Sequence, residues 1–167
     1  MSEGQPTDPH KAFAAAKPHH WDANVVSPRI DVDARRMLYA LSIPEYIEAW
    51  LEAPDADEML RFDFVADQRF NIAFYRAEAL RASIHGSARV VRHTRVDYMW
   101  KTISANGITH TTVDLMILNR ADGCVVVLNH KGFSSLEERA WHCRMWERSL
   151  EKLRRIVRTQ RPLICDF

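Results

Sequence analysis

The sequence predicts an α+β fold: a curved antiparallel sheet wrapped around one long C-terminal helix, with two short N-terminal helices ahead of the sheet. Three observations carry it. Apolar and polar residues alternate along much of residues 60–130, the period of strands buried on one face. Leu136, Ala140, Cys143, Trp146, Leu150, Leu153 and Val157 then recur at three- and four-residue steps, which lays an apolar stripe along a helix. Before the strands, residues 34–51 carry two sets of helix-start signals.

Taken in order, residues 1–24 hold Pro6, Pro9 and Pro18, scattered charge and no sustained apolar period. They are expected to be a flexible segment or an arm laid across the domain and anchored by Trp21. The domain itself is expected over 25–158, with a tail at 159–167. Val25 to Val32 suits an edge strand, because Pro28 lacks an amide donor. Asp33 can cap a helix from Ala34 to about Leu41. Ser42 and Glu45 have capping-box spacing for a second helix through Leu51, with Pro44 tolerated in its first turn. Strands follow around Phe62 and Phe64, around Phe70, Ile72 and Phe74, and from Leu80 to Gly86, where a turn or bulge is expected.

From Arg92 to Lys101, the set Thr94, Val96, Tyr98 and Trp100 shares one parity and is assigned inward. Asn106-Gly107 and Asp122-Gly123 mark the next two hairpin turns. Ser134 and Glu137 have capping-box spacing at the start of the long helix. Its acidic start at Glu137 and Glu138, and its basic end at Arg154, Arg155 and Arg158, both suit the helix dipole.

Composition excludes several classes. A chain of 167 residues can bury roughly two-thirds of its unfolded surface, so it needs neither disulfide nor metal. The formal charge of +1 favours neither nucleic acid nor an acidic membrane. Cys124, Cys143 and Cys165 are odd in number and far apart, which suits a reducing compartment; a cytoplasmic location is expected. No apolar run reaches transmembrane length, so stable membrane insertion is not expected. His19-His20 specifies no coordination cage, and no metal or cofactor is expected.

Tyr39-Ala40-Leu41, Pro44-Glu45, Ile47 and Trp50-Leu51 resemble the opening of proteins related to the C-terminal domain of the Hsp90 ATPase activator. Val125 to Phe133 resembles that family's final strand and turn, and Glu137-Glu138, Trp146-Glu147, Leu150 and Leu153 resemble its closing helix. The branch lies within the SRPBCC, or START-like helix-grip, superfamily. The resemblance runs from about Val25 to Val157 and implies a groove or cavity between sheet and helix. It implies binding of a hydrophobic small molecule or a protein partner, a second copy included. The alternatives are a cyclase, dehydratase or hydrolase acting on a largely apolar molecule, and a chaperone-associated or stress-response protein.

Six residues are candidates for ligand binding. Phe70, Phe74, Tyr98, Trp100 and Trp146 offer broad apolar surfaces that can line a pocket or fill a core. His85 and Tyr98 can add polar points in or beside the cavity. No catalytic residue is assigned. Histidines 85, 93, 110, 130 and 142 have no nucleophile placed beside them by spacing, and His142 and Cys143 diverge around the helix. The arginines of the last helix are expected to be a solvated face.

Overall fold

The computed structural model describes residues 21–159. Seven antiparallel strands form one sheet: β1 (Trp21–Val26), β2 (Glu58–Val65), β3 (Arg69–Arg76), β4 (Ala79–Arg92), β5 (Arg95–Ser104), β6 (Gly107–Arg120) and β7 (Gly123–Phe133). Strands β2 to β7 follow one another as a meander, and β1 closes on β7, giving the order β1-β7-β6-β5-β4-β3-β2. The helices are α1 (Ala34–Ser42), α2 (Pro44–Trp50) and α3 (Leu136–Ile156), with α3 gripped against the inner face. The expected fold class is the one observed.

Several boundaries differ, each for a local reason. The edge strand starts at Trp21 and ends at Val26, so part of the segment expected to precede the domain is paired with β7. Pro28 falls just outside the strand, and Ile30 rejoins β7 through a single bridge to Cys124. Gly123 makes that approach feasible: a Cβ there would stand 2.2 Å from the Ile30 carbonyl oxygen. Asp33 caps α1 by accepting from the Arg36 amide at 2.7 Å, as expected. Ser42 instead belongs to the last turn of α1, and α2 starts at Pro44 behind Ile43, whose side chain supplies no capping bond. At α3 the capping box lies one residue later than its expected place. Ser135 accepts from the Glu138 amide at 3.1 Å, and the Glu138 carboxylate reaches back to the Ser134 amide at 3.0 Å.

The buried stripe keeps Trp146, Leu150, Leu153 and Val157 of the expected set and departs from it in the first turns. It runs through His142, Met145, Trp146, Ser149, Leu150 and Leu153, while Leu136 and Ala140 are exposed and Cys143 lies half-buried beside it. Met145 and Trp146 both face the sheet, so the stripe is broader than a strict alternation of three and four allows.

Two hairpins carry no glycine or asparagine signal. Ala66, Asp67 and Gln68 connect β2 to β3, the last two at φ 62° and 60°, and the two-residue loop Ala77-Glu78 (φ 47° and 65°) connects β3 to β4. Positive φ at both central residues of a two-residue hairpin loop is the type I′ geometry, which suits the twist of the strands but strains ordinary side chains. Replacing Ala77-Glu78 by Asn-Gly is therefore expected to stabilise the domain by about 1 kcal/mol, read as a rise in the urea midpoint at constant slope.

Strand β4 runs straight through Gly86, where a turn or bulge was expected. Gly86 pairs with Phe70 on one side and Trp100 on the other, and the Phe70 ring lies over it. A Cβ at this position would meet Phe70 Cε2 at 2.3 Å. Phe70 is fully buried and in ring contact with Phe62, Tyr98 and Trp100, so it has little freedom to yield. Gly86→Ala is expected to cost about 2 kcal/mol by overpacking, a fall of roughly 4–8 °C in Tm for a domain of this size.

Candidate functional site

The inner face of the sheet is where the aromatic residues collect. Strand alternation sends Phe70, Ile72 and Phe74 from β3, Ile84 and Gly86 from β4, and Tyr98 and Trp100 from β5 toward α3. Trp146 descends from α3 to meet them. Its ring centroid lies 5.2 Å from Trp100 and 6.5 Å from both Tyr98 and Trp50. Tyr98 and Trp100 stack at 6.1 Å, and Phe70 meets both edge-on. Phe62 stacks on Phe70 at 5.2 Å, and Phe64, about half exposed on the edge strand, touches Phe62 at 5.3 Å. An aromatic seam thus runs from the surface at Phe64 to the centre at Trp146.

Of the six residues expected to bind a ligand, the structure brings Phe70, Tyr98, Trp100 and Trp146 into one cluster, each no more than 2% exposed. Their rings interlock. Phe74 is also buried but sits against Trp141, 4.8 Å away, in a separate contact. His85 does not join them. It has the opposite parity on β4 and lies exposed on the outer face of the sheet, so its expected place beside an internal cavity is corrected. Thr94 is likewise exposed, in the β4–β5 turn and outside the inward set.

The polar groups of the interior form a closed network. Trp146 Nε1 donates to His130 Nδ1 at 3.0 Å, which leaves the proton of that ring on Nε2, 2.6 Å from Thr111 Oγ1. Thr111 passes its own proton toward the Trp100 carbonyl at 3.3 Å. His142 Nδ1 donates to the Glu138 carbonyl at 2.9 Å, so its Nε2 accepts from Trp100 Nε1 at 3.3 Å and faces Thr102 Oγ1 at 3.4 Å. Burial pushes the His142 imidazole down to about 4 and holds His130 well below the usual range, with the neighbouring ring adding to the effect at His130. Both are neutral at pH 7, with every ring nitrogen engaged.

The Tyr98 hydroxyl, kept protonated by burial, donates to the Leu41 carbonyl at 2.5 Å, and Trp50 Nε1 donates to the Ala40 carbonyl at 2.8 Å. These two bonds satisfy carbonyls at the end of α1 that have no partner within the helix.

Sequence reasoning treated the histidines singly and missed that His130 and His142 meet, with ring centroids 4.9 Å apart. A signal was present: His130 shares parity with Cys124, Val126 and Leu128, and His142 lies four residues before Trp146 on the helix. The cysteines offer little nucleophilic chemistry. Burial pushes the Cys124 thiol up to about 11 and raises that of Cys143, while Cys165 lies outside the described residues, as do His19 and His20. No group of three or more His, Cys, Asp or Glu arranged to hold a metal occurs among the described residues.

Most cations on α3 and just after it are engaged. Arg144 meets Asp55 at 3.1 Å, Lys152 meets Glu52 at 2.8 Å, Arg154 meets Glu151 at 2.7 Å, and Arg158 pairs with Asp31. Such exposed pairs add little stability individually, but those to Glu52 and Asp55 tie the helix to the acidic loop ahead of β2. On the outer face, Arg95 bridges Asp97 at 3.1 Å and Asp114 at 3.0 Å, so these carboxylates serve an ion-pair cluster. No helix among the described residues is long and apolar enough to cross a membrane.

Comparison with known proteins agrees with this architecture. Residues 31–158 match the family described as Activator of Hsp90 ATPase homolog 1-like protein. Among solved structures, a Mesorhizobium loti protein is similar at 19% identity and TM-score 0.61, covering 84% of this chain and 98% of that one. A protein of the same family name from Silicibacter pomeroyi is similar at 16% identity and TM-score 0.64, covering 84% and 99%. A protein in the dynemicin biosynthetic locus is similar at 11% identity and TM-score 0.58, covering 84% of this chain and 48% of that one. A search of curated proteins found no match.

Proposed function

Since this chain belongs to the Activator of Hsp90 ATPase homolog 1-like family, with its helix-grip fold, we propose that it is a non-catalytic domain that binds a hydrophobic small molecule. The observation behind the reading is the aromatic seam from Phe64 through Phe62 and Phe70 to Trp100 and Trp146. Because its inner rings interlock, a ligand enters by displacing Phe62 and Phe64 on the edge strand β2 and settling against Phe70, rather than by filling a preformed space. Flat or lipid-like molecules suit such a seam, since they replace ring contacts with ring contacts. Phe70, Tyr98, Trp100 and Trp146 are the proposed contacts.

Native mass spectrometry of protein purified without ligand stripping, paired with tryptophan emission during titration with a fatty acid and a polycyclic aromatic, tests the reading. The expected result is a co-purified apolar molecule or a saturable emission change that Phe70→Ala alters. Unliganded protein with unchanged emission would overturn it.

A second reading, recognition of a protein partner, draws on the apolar side chains exposed on the edge strand β2, Met59 and Phe64. Crosslinking in cells, lost on Met59→Asp/Phe64→Asp replacement, would favour it. The cyclase, dehydratase or hydrolase alternative has weaker support, because both buried imidazoles are neutral and already fully hydrogen-bonded. A chaperone-associated role draws on family membership alone.

A further inference from the structure

The outer face of the sheet holds a feature that neither the fold nor the aromatic seam requires. In register across four strands lie Asn71, His85, Lys101 and His110. Directly opposed side chains on one face stand about 5 Å apart, so Lys101 is flanked on both sides by an imidazole. Its other neighbours on that face are Met99 and Ile103 along its own strand and Ser83, Ser87, Ile108 and Thr112 on the diagonals. None is acidic.

Most of the carboxylates farther out are already engaged. Asp63 lies beyond Asn71 and meets Arg61 at 3.5 Å, while Asp97 and Asp114 are held by Arg95. Asp22 lies across β7 from the row and lines an adjoining hollow together with His110 and Lys131. Lys101 is half-buried and has no ion-pair partner among the described residues. An ammonium in this setting has no acidic neighbour on its own face to pair with, and its two cross-strand partners are nitrogen bases.

The row forms part of the wall of a hollow of about 360 Å³, to which Arg69 adds a guanidinium and Met99 an apolar floor. That volume suits a small molecule. We propose that this hollow binds a small organic anion, a carboxylate or phosphate carried on a compact apolar body. Lys101 supplies the charge, His85 and His110 donate hydrogen bonds from either side, and Met99 contacts the body. The site is separate from the seam, on the opposite face of the sheet.

Imidazole resonances of the full chain, followed by NMR during titration with inorganic phosphate and, separately, phenyl phosphate, test this. Both anions are expected to move the His85 and His110 signals saturably, with phenyl phosphate tighter by about tenfold, the equivalent of roughly 1.4 kcal/mol. His130 and His142, being interior, should not move. Lys101→Met should weaken binding by about tenfold or more, and Lys101→Arg should restore it, with unfolding curves showing each variant folded. Shifts that grow linearly without saturating, or equal affinity in Lys101→Met, would overturn the proposal. Saturation by an acidic peptide but not by phenyl phosphate would overturn the small-molecule assignment. Because the seam is read from tryptophan emission and this site from His85 and His110, either can fail alone.

Discussion

Trp146→Ala is expected to destabilise the domain by about 3–5 kcal/mol, the range for removing a buried aromatic ring, and to show as a large drop in urea midpoint. Two losses combine. The ring fills the space between α3 and the sheet, in contact with Trp50, Tyr98, Trp100 and His130. Its indole N–H is also the donor to His130 Nδ1, which would be left buried and unsatisfied. Trp146→Phe separates the two: it keeps most of the ring and loses the N–H, so about 1–2 kcal/mol is expected. Equal losses in the two variants would show that the hydrogen bond, rather than the packing, dominates.

The second large effect is a loss of stability in mild acid. His142 titrates at about 4 in the folded protein, against about 6.5 in an unfolded chain. Between those values the unfolded state binds the proton and the folded state does not, so stability rises with pH across this window and falls as the solution is acidified through it. By pH 4 the loss from His142 is on the order of 3 kcal/mol; His130, also depressed, acts in the same direction. Urea unfolding at pH 7 and pH 4.5 measures it, and His142→Gln should flatten the dependence. A stability unchanged between the two pH values would contradict the buried, neutral assignment of both rings.

Much of the architecture is legible in the sequence because it rests on period. The alternation of Val96, Tyr98 and Trp100, and of Val113, Leu115 and Ile117, can be satisfied in only one register when one face is buried. The turns β5–β6 and β6–β7 carry Asn106-Gly107 and Asp122-Gly123. The turns at Asp67-Gln68 and Ala77-Glu78 were not legible, because tertiary pairing of β2, β3 and β4 imposes a backbone those residues do not favour. Gly86 misled for a related reason: its missing side chain leaves space for the Phe70 ring instead of bending the strand.

At the site, parity identified which aromatics point inward. It could not tell a pocket from a core, since that depends on how rings from β2, β3, β5 and α3 meet across long separations. His85 was misplaced because it was judged by its chemistry, whereas its position opposite Lys101 and Asn71 sets its face. The pairing of His130 with His142 depends on the descent of α3 onto β7 and the angle it takes there, which no local pattern encodes.

The place of β1 beside β7 has a consequence for how the molecule is made. Trp21 pairs with Phe133, a residue synthesised over a hundred positions later. During translation the meander can assemble hairpin by hairpin as it emerges, whereas the first strand waits for the last. Closing so long a loop is slow, and until it closes the β7 edge and the inner surface destined for α3 stand open to other chains. The interval between the emergence of β7 and the docking of β1 and α3 is thus when a newly made copy is most vulnerable to aggregation.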